Sequence, residues 1–218
     1  MLPEVDRLRD IYERSFKEHG DTALGFGWRD EAGKTKRLDI IAKTIEWDAD
    51  QIELSDSHHA PTLLDVGCGT GELLRQLWRH VSLPVQYVGI DMVPDMVNVA
   101  KDKWLDPNML DMLHKHDGSN ERWNYPTPRF IMDDFLTVPA FPDTYDYVVC
   151  SGAMNFLPEP VQFRYVSKMC LVAKRMVALN AQKVSIQTAQ VWAGYFGVKE
   201  FQIRVGYLPD DITVTFWK

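Results

Sequence analysis

The stretch Asp65-Val66-Gly67-Cys68-Gly69-Thr70-Gly71-Glu72 places three glycines at alternate positions between two acidic residues. Glycine reaches positive φ without strain and lets a ligand approach backbone that a Cβ would block. The apolar run Thr62–Val66 in front of it reads as a buried parallel strand, and Glu72–Trp78 behind it reads as a helix. A helix N-terminus supplies unpaired N–H groups and a partial positive charge. Strand, glycine turn and helix together are the setting a nucleotide-binding loop needs. The plainer alternative is a tight strand-to-helix turn with no ligand.

Further carboxylates fall at strand ends. Gln86–Asp91 is an apolar run closed by Asp91, with Met92 next and Pro94 at the first position of a following helix. A carboxylate accepts paired donors well because each of its oxygens can take one. Asp91 can equally be a helix N-cap. Arg129–Phe135 runs into Asp133-Asp134-Phe135, where the plainer alternative is that the acids begin a turn. Tyr145–Ser151 is a fourth strand that passes into Gly152 and Ala153. The candidates for proton transfer are weaker. His19, His114 and His116 have the near-neutral titration a base needs, although surface histidines have it too. Tyr12 and Asn155 have groups able to orient an acceptor. His58-His59 has no carboxylate or cysteine partner at ligand spacing, so no metal site is expected.

The elements that must position these groups alternate along the chain. An amphipathic helix spans about Val5–His19 and ends at Gly20. A glycine- and aromatic-rich loop, 19–29, leads to a second helix from about Lys34 to Trp47, then a polar connector from Gln51 to Pro61. Pro94–Trp104 is helical, and Asp106–Pro128 is the least regular stretch. Pro160–Lys174 is a helix, Arg175–Asn180 a fifth strand, and Ser185–Phe196 a short helix. Phe201–Tyr207 and Ile212–Trp217 alternate apolar and polar residues around Leu208-Pro209-Asp210-Asp211 and form a β-hairpin. Alternating strands and helices imply a parallel sheet with right-handed crossovers, and the hairpin adds an antiparallel strand.

The D-x-G-x-G-x-G spacing, with Asp91 and Asp134-Phe135 after later strands, resembles the class I S-adenosylmethionine (SAM)-dependent methyltransferases over roughly residues 60–218. The resemblance implies an α/β fold: a Rossmann-like, doubly wound, seven-stranded and mostly parallel sheet with a C-terminal antiparallel hairpin strand. Residues 1–58 would form an N-terminal helical cap and connector, and residues 59–218 the core of a single domain. It further implies SAM as cofactor and S-adenosylhomocysteine (SAH) as product. Gly67, Cys68, Gly69 and Gly71 would approach the methionine and ribose portions, with Asp65 holding the amino-acid end. Asp91 would take the ribose hydroxyls and Met92 would pack on adenine. Asp134 with Phe135 would grip the adenine edge, with Asp133 as fallback. Ser151 and Gly152 would lie beneath the sulfonium.

The His19-Gly20-Asp21…Leu24-Gly25…Trp28 loop also resembles small bacterial or phage methyltransferases. In that likeness Trp28 and Arg37 close over SAM, with Arg37 on its carboxylate. Their plainer reading is a packed aromatic and a solvated charge.

Composition narrows the acceptor. Net charge is −7, and no Asn-Pro-Pro-Tyr-type motif follows the fourth strand, so nucleic acid is disfavoured and a small molecule favoured. Cys68, Cys150 and Cys170 have no metal spacing and read as reduced thiols. No stretch approaches a membrane span and no signal-peptide pattern is seen, so the expectation is a cytoplasmic monomer or homodimer. Three readings remain beside small-molecule methyl transfer. One is an RNA or protein methyltransferase using the Lys34-Thr35-Lys36-Arg37 run, and another is a SAM-binding sensor without transfer. The third, a nicotinamide-dependent dehydrogenase, is disfavoured by the G-x-G-x-G spacing.

Overall fold

Strand β1, Thr62–Val66, is buried on both faces. It pairs in parallel with β2 (Gln86–Asp91) on one side and β4 (Tyr145–Ser151) on the other. A computed structural model describes residues 2–53, 60–81, 84–113, 126–138, 141, 144–182 and 184–218. Beyond β2 lies β3 (Arg129–Met132), and beyond β4 lies β5 (Ala173–Gln182), both parallel. The hairpin strands β6 (Glu200–Val205) and β7 (Asp211–Trp217) complete the seven-stranded order β3-β2-β1-β4-β5-β7-β6, with β7 antiparallel to β5. The strand order reverses between β1 and β4. Crossovers leave there toward opposite faces and open a crevice at the strands' carboxyl ends.

Side chains alternate between two cores. Leu63, Tyr87, Tyr147, Val149 and Ala178 pack under helices α2 (Glu31–Glu53), α3 (Glu72–His80) and α4 (Pro94–Trp104). Leu64, Val88, Val148, Val177 and Leu179 pack under α6 (Glu159–Val172) and α7 (Ile186–Phe196), joined by Val5 and Leu8 of α1 (Pro3–His19). A short α5, Pro107–Leu113, follows α4. The N-terminal segment therefore divides. Helix α1 and the 20–29 loop cover the crevice, while α2 fills a face of the sheet through Leu38, Ile41, Ala42 and Ile45.

Several boundaries differ from the sequence reading. Helix α2 starts at Glu31, because Asp30 Oδ1 accepts the Gly33 N–H at 2.6 Å. It runs past Trp47 because the polar Asp48 is taken up by Tyr147 Oη at 3.0 Å and by the Arg175 guanidinium. Strand β3 stops at Met132, where Asp133 and Asp134 turn the chain. Strand β5 extends to Gln182 because its antiparallel ladder with β7 continues to Gln182–Asp211. His114 and His116, and His58-His59, lie outside the described residues.

Gly71 serves the fold. Its φ is +79°, and a Cβ there would lie 2.5 Å from Trp104 Nε1, which donates to Thr70 O at 2.7 Å. Left-handed backbone and crowding should act together in Gly71→Ala. We expect a loss of about 2–4 kcal/mol in urea unfolding at neutral pH. A change under about 0.5 kcal/mol, the range of an ordinary surface substitution, would refute the crowding argument.

Candidate active site

The cavity opens at the carboxyl ends of β1, β2 and β4 and has an empty volume of about 840 Å³, its mouth included. Its floor is the glycine turn. Gly67 and Gly69 have φ of +74° and +54°. The turn stays joined to β2 because the Gly67 and Cys68 N–H groups both donate to Ile90 O, at 2.8 and 3.1 Å.

Asp91 closes β2 on the cavity wall. Its Oδ2 accepts the Gly69 N–H at 2.8 Å and its Oδ1 the Val93 N–H at 2.9 Å. The α4 N-cap is Val93, so Asp91 is not that cap. Each carboxylate oxygen keeps a lone pair, which is what two ligand hydroxyls require. Burial raises its pKa and the backbone donors oppose the rise. Asp65 is also on the wall, 3% exposed, and accepts the Tyr87 hydroxyl at 2.7 Å. Burial pushes its pKa up to about 7 against the effect of that hydrogen bond, with Asp91 nearby adding to the rise.

Met92, Cys68, Ser151 and Gly152 line the cavity. Ser151 Oγ is held by Asn180 Oδ1 at 2.9 Å. Trp28 and Tyr12 face the cavity from the N-terminal segment. Tyr12 stands edge-on to Phe156 with centroids 6.1 Å apart. Its hydroxyl pKa is raised by burial and by the nearby Asp91, which makes it a poor base and leaves it a donor. Phe26 lies over Gly69, 3.1 Å from where a Cβ would stand, and a Cβ on Gly152 would overlap the Trp28 ring.

Five sequence candidates are not on this wall. Asp134 is turned inward: its Oδ1 accepts the Leu136 N–H at 2.9 Å, and its Oδ2 is buried without a hydrogen-bond partner among the described residues. Asp133 and Phe135 line the cavity, so the acid facing it is the fallback. Arg37 is buried and paired with Asp211 of β7, so its charge is already neutralised. Asn155 Oδ1 accepts the Gln182 N–H at 2.8 Å and ties the end of β5 to the loop after β4. His19 stands at the end of α1 near Glu18. Gly71 packs against Trp104.

The residue that sequence reasoning missed is Lys34. Among the described residues that line the cavity it is the one cation, sharing the lining with Asp65, Glu72, Asp91 and Asp133. It is 6% exposed, its Nζ lies 2.8 Å from Glu31 Oε2 and 5.2 Å from the Phe26 centroid. Glu31 also accepts the Ala23 N–H, and its pKa is lowered chiefly by its hydrogen bond to Lys34. The available signal was its position one helical turn before Arg37, on the same face. With Lys34 and Arg37 both buried, the Lys34–Arg37 run is not a basic surface patch. Among the described residues no group of three metal-ligating side chains occurs, and no helix is long and apolar enough to cross a membrane.

A crevice at the β1–β4 reversal, floored by a glycine turn and flanked by a strand-end carboxylate, defines a Rossmann-like nucleotide-binding enzyme class. Residues 57–202 match the methyltransferase domain family, and the chain belongs to that family.

Among curated proteins it is similar to the ubiquinone/menaquinone biosynthesis C-methyltransferase of Stutzerimonas stutzeri: 33% identity over 47% of this chain and 34% of that one. It is also similar to the demethylmenaquinone methyltransferase of Shouchella clausii: 23% identity over 74% of this chain and 65% of that one. The chain thus spans about one to two thirds of these relatives' lengths. Among solved structures, magnesium protoporphyrin IX methyltransferase from Synechocystis PCC 6803 with bound SAH shares the fold. The TM-score is 0.70 at 16% identity, over 99% of each chain. The plantazolicin methyltransferase BpumL, solved with a monoazolic desmethylPZN analogue and SAH, gives a TM-score of 0.63 at 11% identity, over 99% of this chain and 96% of that one.

Burial of Asp65 has a testable sign. A buried acid whose pKa rises to about 7 holds its proton in the folded state after the unfolded chain has lost it. Wild-type stability relative to Asp65→Asn should therefore fall as pH rises from the ordinary carboxylate range to about 7, then level off. Urea unfolding across that range measures it. A flat difference would show that Asp65 is ionised throughout.

Proposed function

We propose that the protein transfers a methyl group from SAM to a small, uncharged, ring-bearing acceptor. The observation that carries the reading is the cavity itself: Asp91 beside the glycine turn, Lys34 on the same lining, and aromatic residues Tyr12, Phe26, Trp28 and Tyr165. The residues fit SAM group by group. Asp91 offers a lone pair on each oxygen to a ribose diol, Asp133 and Phe135 suit an adenine edge and face, and Lys34 offers a cation to a carboxylate. Asp65 offers a carboxyl to an ammonium group. Bound SAM supplies a methyl group activated by a cationic sulfur. The chain's own work is to orient the acceptor and exclude water, with Trp28 and Phe26 lying directly on the glycines beneath them.

The acceptor class follows from charge. The carboxyl groups of Asp65, Glu72, Asp91 and Asp133 share the lining with one paired lysine, which disfavours an anionic acceptor. Flat aromatic walls suit a ring. The curated relatives, named for quinone-type substrates, support the same class. The buried Lys34 and Arg37 weigh against a polymer substrate. Sequestration of SAM without transfer makes a different prediction, binding with no product.

Calorimetric titration with SAH should show binding, and Asp91→Ala should weaken it by about 1.5–3 kcal/mol, the value of hydrogen bonds to a charged group. Lys34→Met should weaken SAH by a similar amount, about 1.5–3 kcal/mol, yet spare 5′-methylthioadenosine, which lacks the carboxylate. Equal loss for both ligands would remove Lys34 from that role. With 2-methyl-1,4-naphthohydroquinone as acceptor, SAH should accumulate. Preference for an anionic naphthoate would overturn the acceptor class, and SAH binding without any turnover would favour sequestration.

A further inference from the structure

Arg37 was the sequence's candidate for the ligand carboxylate, and the fold has given it another partner on each side. Its guanidinium is ion-paired to Asp211, with the two side chains 6% and 1% exposed. Asp211 begins β7, so the pair joins α2 to the hairpin 174 positions later in the chain. The guanidinium carbon also lies 4.3 Å from the Trp28 ring centroid. Trp28 also abuts Gly152, the residue after β4, where any Cβ would overlap the ring. Trp28 is on the cavity wall, while neither Arg37 nor Asp211 is.

We propose that Arg37, anchored by Asp211, is a positioning residue that fixes Trp28 against Gly152 and so sets the wall of the cavity where methyl transfer would occur. This rests on the reading above only for the ligand that the wall meets. The physical reason is complementarity of shape and charge. A planar guanidinium can stack on an indole face and still present N–H groups in its plane to a carboxylate. A lysine offers a point charge and no flat face. Without Asp211 the cation would carry an unpaired buried charge and leave the stack. Without a glycine at 152 the ring would have nowhere to lie. Three separated segments therefore hold one indole: α2 supplies the stacking face, β7 the anchor, and the loop after β4 the space.

Titration of SAH and 5′-methylthioadenosine against Arg37→Gln, Trp28→Leu and the double variant tests this. Each single variant should weaken both ligands by the same factor, about tenfold, and the double variant should be no weaker than the worse single one. Additive losses would overturn the proposal. So would a loss confined to SAH, which would put Arg37 on the carboxylate.

Incorporation of 5-fluorotryptophan gives a second readout. The chain has seven tryptophans, and the fluorine resonance missing in Trp28→Phe identifies Trp28. That resonance should shift in Arg37→Gln and in Arg37→Lys, which keeps a charge for Asp211 but offers no flat face and so serves if Arg37→Gln does not fold. An unmoved resonance in a folded variant of either kind overturns the positioning role. Wild-type protein that binds neither ligand overturns the methyltransferase reading, and the fluorine signal still decides whether Arg37 holds Trp28.

Discussion

Where β1 and β4 leave the sheet, the two chains run so close that a Cβ on Gly67 would overlap Ala153 Cβ. The cavity depends on this approach. Parallel neighbours whose crossovers depart to opposite faces leave a gap at their carboxyl ends. Backbone without side chains lets the gap be lined by N–H and C=O groups at ligand distance. The same absence of Cβ at Gly69 and Gly152 lets Phe26 and Trp28 lie directly on the floor. The N-terminal loop can therefore cover the crevice closely.

Electrostatics then sets what the crevice holds. Asp65 and Asp91 are buried within reach of one another, and burial raises the pKa of both. A cationic ligand would relieve that cost, because an opposite charge nearby favours the ionised carboxylate. The cap is tied down by charge as well. Thr70 Oγ1 donates to Asp21 Oδ1 at 2.7 Å, Lys103 bridges Asp21 and Glu72, and Glu31 takes the Ala23 N–H. These ties join residues of the 20–31 segment to one another, to the glycine turn and to α4, so the cover is fastened to the floor.

Much of this was legible in the chain. Runs such as Thr62–Val66 and Gln86–Asp91 announce buried parallel strands because a sheet covered on both faces admits few polar side chains. The alternation of β6 and β7 announces the hairpin. Asp91, Met92 and Gly152 follow from position, since a strand end in such a sheet faces the crevice. The placements of four other candidates were not legible in the chain. Asp134, Arg37, Asn155 and His19 were chosen by residue type and local spacing, while their partners are Leu136, Asp211, Gln182 and Glu18. For Arg37 and Asn155 those partners lie 174 and 27 positions away. Local spacing carries no information about such pairings.

The sequence by itself determined the strand–turn–helix unit, the glycines that make its backbone approachable, and the carboxylates that end the strands. Those properties are set by hydrophobic periodicity and by the missing Cβ, both of which act over a few residues. Only the tertiary structure decided which of two cations one turn apart on α2 faces the cavity. Lys34 keeps an exposed partner, Glu31, and stays on the wall, while Arg37 is drawn away to a buried carboxylate on β7. A desolvated charge must find its counter-charge wherever the packed chain has placed one, and that is fixed only when distant segments meet.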